Sequence, residues 1–354
     1  MPADRDWLRT ALDRLAAEQA RSADTHLLRI EFPAFPGIPI YFKDESTHPT
    51  GSLKHRLARS LFLYGLCDGR IRRGQLVLDA SSGSTAISEA YFARLLELPY
   101  VAVMTHDTSP RKIAEIEALG GQCEFVDAAD QVYARAEALA AKLGGHYLDQ
   151  FGMSERATDW RGNNNIAESI LAQMQREPEP EPRWIVCGAG TGGTSATIGR
   201  YLRYRGTATR LCVADPEGAA FVEGWRSRGK AVAARCSRIE GIGRPRIEPS
   251  FRFDVVDRVE AIGDADSCAA AWLLEKITGR RFGGSSGTNL VGVLRLAREM
   301  REAGESGAIV TLLCDRGERY SETVFNADWL AAQGFDIAPG MRRLAEALGL
   351  SVTD

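Results

Sequence analysis

The sequence predicts an α/β fold of two domains, each with a mostly parallel sheet covered by helices. Short apolar runs of strand length alternate along the chain with longer segments of helical periodicity. Continuously apolar runs are typical of parallel strands, which are buried on both faces. At 354 residues the chain is long enough to bury two hydrophobic cores.

Strands and helices are predicted in alternation along the chain. The predicted strands are residues 39–43, 75–80, 100–104, 122–126, 183–187, 210–214 and 309–313. The predicted helices are residues 6–20, 54–67, 84–97, 109–119, 130–143, 155–175, 191–204, 264–278 and 288–301. Glutamate and proline alternate over residues 177–182, which we therefore expect to form a surface connection.

We expect a domain boundary near residue 150, because a break there divides the strand–helix units evenly. Residues 1–150 are then the N-terminal domain, in which the part at about residues 80–130 closes over substrate. Residues 151–354 are the C-terminal domain. It ends in an extension, residues 326–354, with a weak helical pattern that could pack on a neighbouring subunit.

Composition excludes several classes of partner. Lys and Arg total 44 against 47 Asp and Glu, a net charge of −3, so no general attraction to nucleic acid or to a membrane surface is expected. No apolar run approaches the roughly 20 residues of a membrane span. The first 25 residues lack the apolar stretch of a signal peptide, so we expect a cytoplasmic protein. The seven cysteines are scattered without a C-x-x-C pair, and we expect neither disulfides nor a metal site.

A glycine-rich turn is the clearest sign of a ligand. Residues 188–194 read Gly-Ala-Gly-Thr-Gly-Gly-Thr, follow a predicted strand and begin a predicted helix. Glycines let a phosphate approach the backbone, and a helix N-terminus offers free N–H groups and positive partial charge. We therefore predict that the turn holds a phosphorylated ligand.

Three interpretations of this turn are open on local pattern alone. Gly188, Gly190 and Gly193 match the dinucleotide pattern G-x-G-x-x-G, with Asp215 about 20 residues further on. A nucleotide P-loop is less consistent, because Thr194 stands where that motif requires lysine. A tight turn without any ligand is the third interpretation.

Three other turns weigh against a dinucleotide. Lys54 follows a glycine turn at the start of a predicted helix, where the positive helix end favours the neutral amine that imine formation requires. Residues 81–85, Ser-Ser-Gly-Ser-Thr, could bind a carboxylate or simply cap a helix. Residues 283–288, Gly-Gly-Ser-Ser-Gly-Thr, begin a further helix.

Taken in order, these motifs resemble the cysteine synthase and cystathionine β-synthase family of pyridoxal-phosphate enzymes, which have the tryptophan-synthase-β-like fold. The resemblance spans about residues 25–325 and is highly specific for the family, less so for the reaction. It is carried by residues 41–45 (Tyr-Phe-Lys-Asp-Glu), 51–54 (Gly-Ser-Leu-Lys), 82–85 (Ser-Gly-Ser-Thr), 150–151 (Gln-Phe), 190–194 (Gly-Thr-Gly-Gly-Thr), 215–216 (Asp-Pro), 241–243 (Gly-Ile-Gly), 284–287 (Gly-Ser-Ser-Gly) and 315–320 (Asp-Arg-Gly-Glu-Arg-Tyr).

The resemblance implies a cofactor, pyridoxal 5′-phosphate, and a set of site residues. Lys54 would bind the cofactor covalently and later move a proton, while Ser285 would contact the pyridine nitrogen. The implied phosphate site is Gly190, Thr191, Gly192, Gly193 and Thr194. The implied substrate site is Ser82, Gly83, Ser84, Thr85, Gln150 and Gly241. In this interpretation Asp215 holds no ribose, and the protein is a homodimer.

Departures from the family's pattern favour one reaction over another. Ser84 stands where the family usually has an asparagine that contacts the cofactor ring, and Arg244 stands where the synthases usually have a small residue. These differences resemble bacterial L-cysteine desulfhydrases, which imply β-elimination of L-cysteine to sulfide, pyruvate and ammonia. The alternatives are cysteine synthase, acting on O-acetylserine and sulfide, and a cofactor-free binding protein. The retention of Lys54 and of the glycine turn disfavours the cofactor-free protein.

Overall fold

A computed structural model describes residues 2–230 and 234–351 of the chain. The chain divides into two compact units. The N-terminal unit comprises Met1–Asp24 and His48–Asp159, and the C-terminal unit comprises Thr25–Thr47 and Trp160–Asp354. In chain order the main elements are α1 (Pro2–Ala20), β1 (His26–Ile30), β2 (Ile40–Asp44), α2 (Lys54–Cys67), β3 (Val77–Ala80), α3 (Ser84–Leu95), β4 (Tyr100–Thr105), α4 (Pro110–Ala118), β5 (Gln122–Val126), α5 (Val132–Leu143), β6 (His146–Tyr147), α6 (Gln150–Ala157), α7 (Ile166–Met174), β7 (Trp184–Gly188), α8 (Gly193–Arg205), β8 (Arg210–Pro216), α9 (Ala220–Arg226), β9 (Arg258–Ile262), α10 (Asp264–Thr278), α11 (Gly284–Glu302), β10 (Ile309–Leu313), α12 (Ala327–Ala332) and α13 (Ile337–Leu348).

The N-terminal unit is built on a four-stranded parallel sheet in the order β5-β4-β3-β6. Successive strand residues point to opposite faces, so each strand supplies two cores. Val77 and Tyr100 lie in the cluster formed with α1, α2 and α3, whereas Leu78 and Val101 lie in the cluster formed with α5. The sheet is therefore covered on both faces, as its continuous apolar strands require.

The C-terminal unit is built on a six-stranded sheet in the order β1-β2-β10-β7-β8-β9. All its neighbouring pairs are parallel except β1 with β2. Helix α11 is largely buried against this sheet and against α10. A Cβ added at Gly287 would lie 2.0 Å from the carbonyl oxygen of Ser267, so only glycine permits this approach of α11 to α10.

The predicted fold class is confirmed, with two mostly parallel sheets flanked by helices. All seven predicted strands are present, but the sequence analysis missed β1, β6 and β9. Strand β6 has only two residues, and β1 and β9 mix polar with apolar residues because both are edge strands. None of the three shows the apolar run that marks a buried strand.

The predicted helix over residues 155–175 is wrong, because two helices, α6 and α7, occupy this region. Asn163 and Asn164 interrupt it with φ of +61° and +51°, values incompatible with a continuing right-handed helix. Asn165 then caps α7 by accepting hydrogen bonds from the N–H groups of Ala167 and Glu168. The helices α9 and α12 were also not predicted.

Residues 25–47 fall inside the predicted N-terminal domain but belong to the C-terminal unit. The cause is non-local strand pairing, in which Ile40 of β2 pairs with Ile309 of β10. In the extension, α13 packs on α10 of its own chain, and residues 352–354 lie outside the described residues. Among the described residues we find no helix with the length and hydrophobicity needed to cross a membrane.

Candidate active site

Lys54 is the first residue of α2, as predicted. The preceding turn contains Gly51 at φ +67°, a conformation that favours glycine, and the Ser52 hydroxyl accepts a hydrogen bond from the Lys54 N–H at 3.2 Å. The Lys54 side chain is half-buried. It therefore leaves the chain at the positive end of a helix, where the charged form of an amine is disfavoured.

The serine-rich turn joins β3 to α3. Ser82 is exposed and Ser84 half-buried, so both hydroxyls are accessible within this unit. Gln150, the first residue of α6, is buried, and its Nε2 donates to the carbonyl of Ala80 at 3.1 Å. The structure thus brings Gln150 to the beginning of the turn that contains Ser82, Gly83, Ser84 and Thr85.

A buried hydrogen-bond network joins the lysine turn to the first turn of α3. The hydroxyls of Thr50 and Ser88 lie 2.9 Å apart, and Ser88 donates to the carbonyl of Ser84 at 2.8 Å. His55 Nδ1 lies 3.2 Å from Thr50 Oγ1, and its Nε2 lies 3.1 Å from Glu18 Oε1. Lys54 and the serine turn are therefore held together by side chains that the sequence analysis did not single out.

Burial and the hydrogen bond between His55 and Glu18 together determine the protonation of these two side chains. Burial lowers the pKa of His55, even though the hydrogen bond to Glu18 acts in the opposite direction. Burial would by itself raise the pKa of Glu18, but the hydrogen bond and charge of His55 outweigh it, and the pKa of Glu18 is lowered. An ionised Glu18 accepting from a neutral His55 at neutral pH follows from these two directions.

In the C-terminal unit the glycine turn leads from β7 to α8. Gly192 has φ +88°, and a Cβ there would lie 2.5 Å from the Cα of Phe251. The Thr191 hydroxyl accepts from the Gly193 N–H at 3.1 Å. The N–H groups in the first turn of a helix have no intrahelical acceptor, so the start of α8 is suited to an anion.

Two other predicted segments meet the glycine turn at the carboxyl edge of the sheet. A Cβ added at Gly188 would lie 3.1 Å from Ile242, the residue after Gly241, and 3.5 Å from Asn289 Oδ1 on α11. Ser285, the second residue of α11, is buried. Since ligands of open α/β sheets bind at the carboxyl ends of strands, this edge is the natural site in this unit.

Asp215 and Arg244 have local structural partners. Asp215 is fully buried, and its Oδ2 accepts from the Phe221 N–H at 3.2 Å, so the carboxyl is not presented to a ribose. Burial raises the pKa of Asp215 to about 7. The Arg244 Nε donates to the buried carboxylate of Glu248 at 2.8 Å. Arg244 is thus neither a purely solvated side chain nor an unpaired charge.

Comparison with known proteins decides between the interpretations of the glycine turn. The sequence profile of the family described as "Pyridoxal-phosphate dependent enzyme" matches residues 21–315. The chain belongs to this family. Its cofactor is pyridoxal phosphate, so the dinucleotide interpretation of Gly188, Gly190 and Gly193 is wrong.

Individual relatives of this pyridoxal-phosphate enzyme refine the comparison. It is 58% identical to "L-cysteine desulfhydrase Cds1" of Mycobacterium tuberculosis, over 97% of this chain and 94% of the relative. It is 28% identical to a "Putative cysteine synthase" of Sinorhizobium fredii, over 87% of this chain and 89% of the relative. Among solved structures, O-ureido-L-serine synthase superposes with a TM-score of 0.76 at 26% identity, covering 87% of this chain and 96% of that chain.

The residues at the carboxyl edge of the six-stranded sheet fit the cofactor. Any side chain at Gly192 would overlap Phe251, and the start of α8 is suited to a phosphate. Asn289 Oδ1 is buried and has no hydrogen-bond partner among the described residues, so a polar group remains to be satisfied at the same edge. Within the described residues, no group of three His, Cys, Asp or Glu side chains is arranged to hold a metal ion.

Proposed function

We propose that this pyridoxal-phosphate enzyme converts L-cysteine and water to sulfide, pyruvate and ammonia. The observation that carries the proposal is the identity over nearly the full length of both chains with the relative named L-cysteine desulfhydrase Cds1. The placement of Lys54 at a helix start and of the glycine turn at a sheet edge supports the same chemistry.

In the N-terminal unit we assign substrate binding to the serine turn. Ser82, Gly83, Ser84 and Thr85 offer hydroxyl and backbone N–H groups at the beginning of α3, which suits a carboxylate. Gln150 is tied to the same turn through Ala80. Lys54 is the catalytic residue, which removes the proton from the substrate Cα and holds it on Nζ.

In the C-terminal unit we assign cofactor binding to the carboxyl edge of the six-stranded sheet. The backbone of Gly190, Thr191, Gly192, Gly193 and Thr194 would hold the phosphate. The hydroxyl of Ser285 would hydrogen-bond the ring nitrogen. The resemblance to the family also implies that Ser84 contacts the cofactor ring. The loop at Gly241 would lie beside the bound substrate, since Ile242 contacts the beginning of the glycine turn.

When bound, pyridoxal phosphate supplies an electron sink that makes the substrate Cα proton removable and allows the β-substituent to leave. Ser285 cannot keep a proton on the ring nitrogen as an aspartate would, and this favours prompt loss of the β-substituent over transamination. Lys54 then returns its proton for product release, so the residue serves as base and acid in one turnover.

Cysteine synthase activity is the second candidate, favoured by the similarity to the putative cysteine synthase. The two activities separate in one assay of the purified holoenzyme. We expect sulfide and pyruvate in equal amounts from L-cysteine. Efficient formation of cysteine from O-acetylserine and sulfide, with negligible release of sulfide from L-cysteine, would reverse the order.

Replacing Lys54 tests the chemistry of the proposal directly. Lys54→Ala should reduce kcat at least about 10³-fold, because it removes the general base and the covalent attachment of the cofactor. The visible absorption of the bound cofactor should change at the same time. Lys54→Arg is the matched control, since it keeps a cation at the start of α2 but cannot act as a base near neutral pH. Full turnover by either variant contradicts the assigned role.

We also propose that the enzyme is a cytoplasmic homodimer, on the resemblance to its family. Light scattering coupled to size-exclusion chromatography should give twice the chain mass of 38.7 kDa. A single-chain mass at micromolar concentration would contradict the dimer. Activity confined to the soluble fraction of lysed cells is the expected result for location.

A further inference from the structure

Two carboxyl groups are buried beneath the serine turn. Asp79 lies on β3, on the sheet face that α2 and α3 cover, and Glu89 lies on α3. Both side chains have no solvent exposure, and their carboxyl groups are within hydrogen-bonding reach of each other. Neither residue was singled out in the sequence, although a charge in the middle of an apolar strand is the signal that could have found Asp79.

Each carboxyl group accepts a hydrogen bond from a neighbouring residue outside the pair. The Tyr100 hydroxyl donates to Glu89 Oε2 at 2.7 Å, and the Gln150 N–H donates to Asp79 Oδ1 at 3.4 Å. The remaining oxygens, Asp79 Oδ2 and Glu89 Oε1, receive no N–H or O–H from any residue that the structure describes. Two ionised carboxylates could not face each other in this setting, whereas one proton between them satisfies both oxygens.

The titratable groups around Asp79 and Glu89 affect how many negative charges the two carboxyl groups carry together. Titratable groups that interact with the pair from the neighbouring elements are Lys54 on α2, Tyr100 on β4, Tyr147 on β6 and Asp149 before α6, while Cys123 on β5 acts on Tyr100. Burial and the charge of Asp79 raise the pKa of Glu89 well above its usual value, and Lys54 acts in the opposite direction. The hydrogen bond between Thr50 and Ser88 joins the lysine turn to α3 at the residue before Glu89.

We propose that Asp79 and Glu89 share one proton and thereby hold a single buried negative charge that stabilises the ammonium form of Lys54. The inference rests on the proposed role of Lys54. When the Cα proton moves to Lys54 Nζ, the ammonium group that forms is stabilised by the negative charge that the pair already holds. The shared proton stays between Asp79 and Glu89. Asp79 and Glu89 are positioning residues, since they act through Lys54 and not on the substrate.

Amide substitutions separate a shared proton from two independent charges. In Asp79→Asn or Glu89→Gln, the new amide donates to the surviving carboxylate, so each single variant keeps one negative charge and the hydrogen bonds from Tyr100 or Gln150. Only the double variant is neutral. The control is Asp130→Asn, which removes one negative charge at an exposed position of the same unit, where solvent screens it.

The readout is the midpoint of the acidic limb of kcat against pH, which reports the loss of a proton from Lys54 in the substrate complex. Because a negative neighbour raises the pKa of an amine, the double variant should shift this midpoint to lower pH by about one unit. Each single variant and the exposed control should leave the midpoint in place. An unshifted double variant, or a single variant that shifts as far as the double, would overturn the inference.

An infrared measurement on the protein without cofactor tests the shared proton independently of turnover. Asp215 is also a buried acid whose pKa is raised to about 7, so the measurement is made in an Asp215→Asn background. This protein should show the carboxylic C=O band of a buried protonated acid at neutral pH, and adding either single substitution should remove it. Persistence of the band in Asp79→Asn or in Glu89→Gln would contradict a shared proton. Failure of the proposed function is distinguishable, since it appears as full turnover in Lys54→Ala whatever the pair does.

Discussion

The backbone at Gly192 combines two constraints that only glycine meets. Its φ of +88° lies in the left-handed region, and a Cβ would lie 2.5 Å from the Cα of Phe251. The overlap cannot be relieved by a side-chain rotation, because the Cα of Phe251 is a backbone atom. Glycine is therefore required at position 192 by the backbone of the turn, irrespective of any ligand.

Gly192→Ala should therefore destabilise the protein by about 2 to 5 kcal/mol, the sum of left-handed strain and overlap, and should weaken cofactor binding. The control is Gly206→Ala at the other end of α8, where φ is +64° and no atom lies within 4 Å of the added Cβ. That change should cost only about 1 kcal/mol. Urea unfolding and cofactor titration measure both variants, and equal losses in the two would contradict the explanation.

Most residues of the candidate site could be predicted, because each glycine or serine turn lies between a strand and a helix that local patterns identify. Lys54, Ser84 and Gly193 stand at helix starts, as the sequence suggested. Asp79 and Glu89 could not be paired from sequence, since their contact depends on how α3 lies over β3. A local pattern predicts the position of a side chain on its helix or strand, but not which residues of other elements it contacts.

Helix α6 connects its own N-terminal cap, Asp149, to the serine turn through Gln150, its first residue. Asp149 precedes the helix at φ +51° and accepts from the Gly152 N–H at 3.0 Å. A Cβ at position 152 would lie 2.2 Å from Asp149 Oδ2 and would overlap it. Glycine therefore leaves the space that the capping carboxylate occupies. The cap determines where α6 begins. It therefore positions the Gln150 side chain to donate its hydrogen bond to the carbonyl of Ala80.

Removing this cap should affect both stability and substrate binding. Asp149→Ala should cost about 1 kcal/mol or more, from the lost cap and the left-handed backbone, and should raise KM for L-cysteine severalfold with a smaller change in kcat. Asp149→Asn should stay close to the wild type, because asparagine tolerates this backbone and still accepts the hydrogen bond. A KM unchanged in Asp149→Ala would argue against the coupling of α6 to the substrate site.

Element boundaries were the weaker part of the sequence-based prediction. The break between α6 and α7 rests on two asparagines in left-handed conformation, and no proline or glycine stands at those two positions. Strand β9 was missed because its charged residues make ion pairs at the sheet edge, where Arg258 contacts Glu299. In β9, tertiary contacts override a local preference.

At the scale of the whole molecule, buried acids make stability fall as pH rises. Burial raises the pKa of Asp79 to about 6 and that of Asp215 to about 7, from an ordinary value of 3.8. These two carboxyl groups then bind more protons in the folded protein than in the unfolded chain between about pH 4 and pH 7, so their contribution to the free energy of unfolding decreases across this window.

Asp215→Asn tests this in the C-terminal unit. An amide cannot ionise, so the variant should lose less stability than the wild type between pH 5 and pH 8, by a few kcal/mol at about 1.4 kcal/mol per pKa unit. Urea unfolding at the two pH values measures the difference. Parallel pH profiles for wild type and variant would show that Asp215 is ionised without cost in the folded protein.

Local sequence was sufficient for the α/β class, for a glycine turn before α8 and for the lysine at a helix start. Each depends on apolar periodicity or on glycine spacing over a few residues. The return of residues 25–47 to the C-terminal unit, the meeting of Gln150 with the serine turn, and the pairing of Asp79 with Glu89 were decided only in three dimensions. They depend on hydrogen bonds between segments far apart in the chain, and no local pattern encodes such distances.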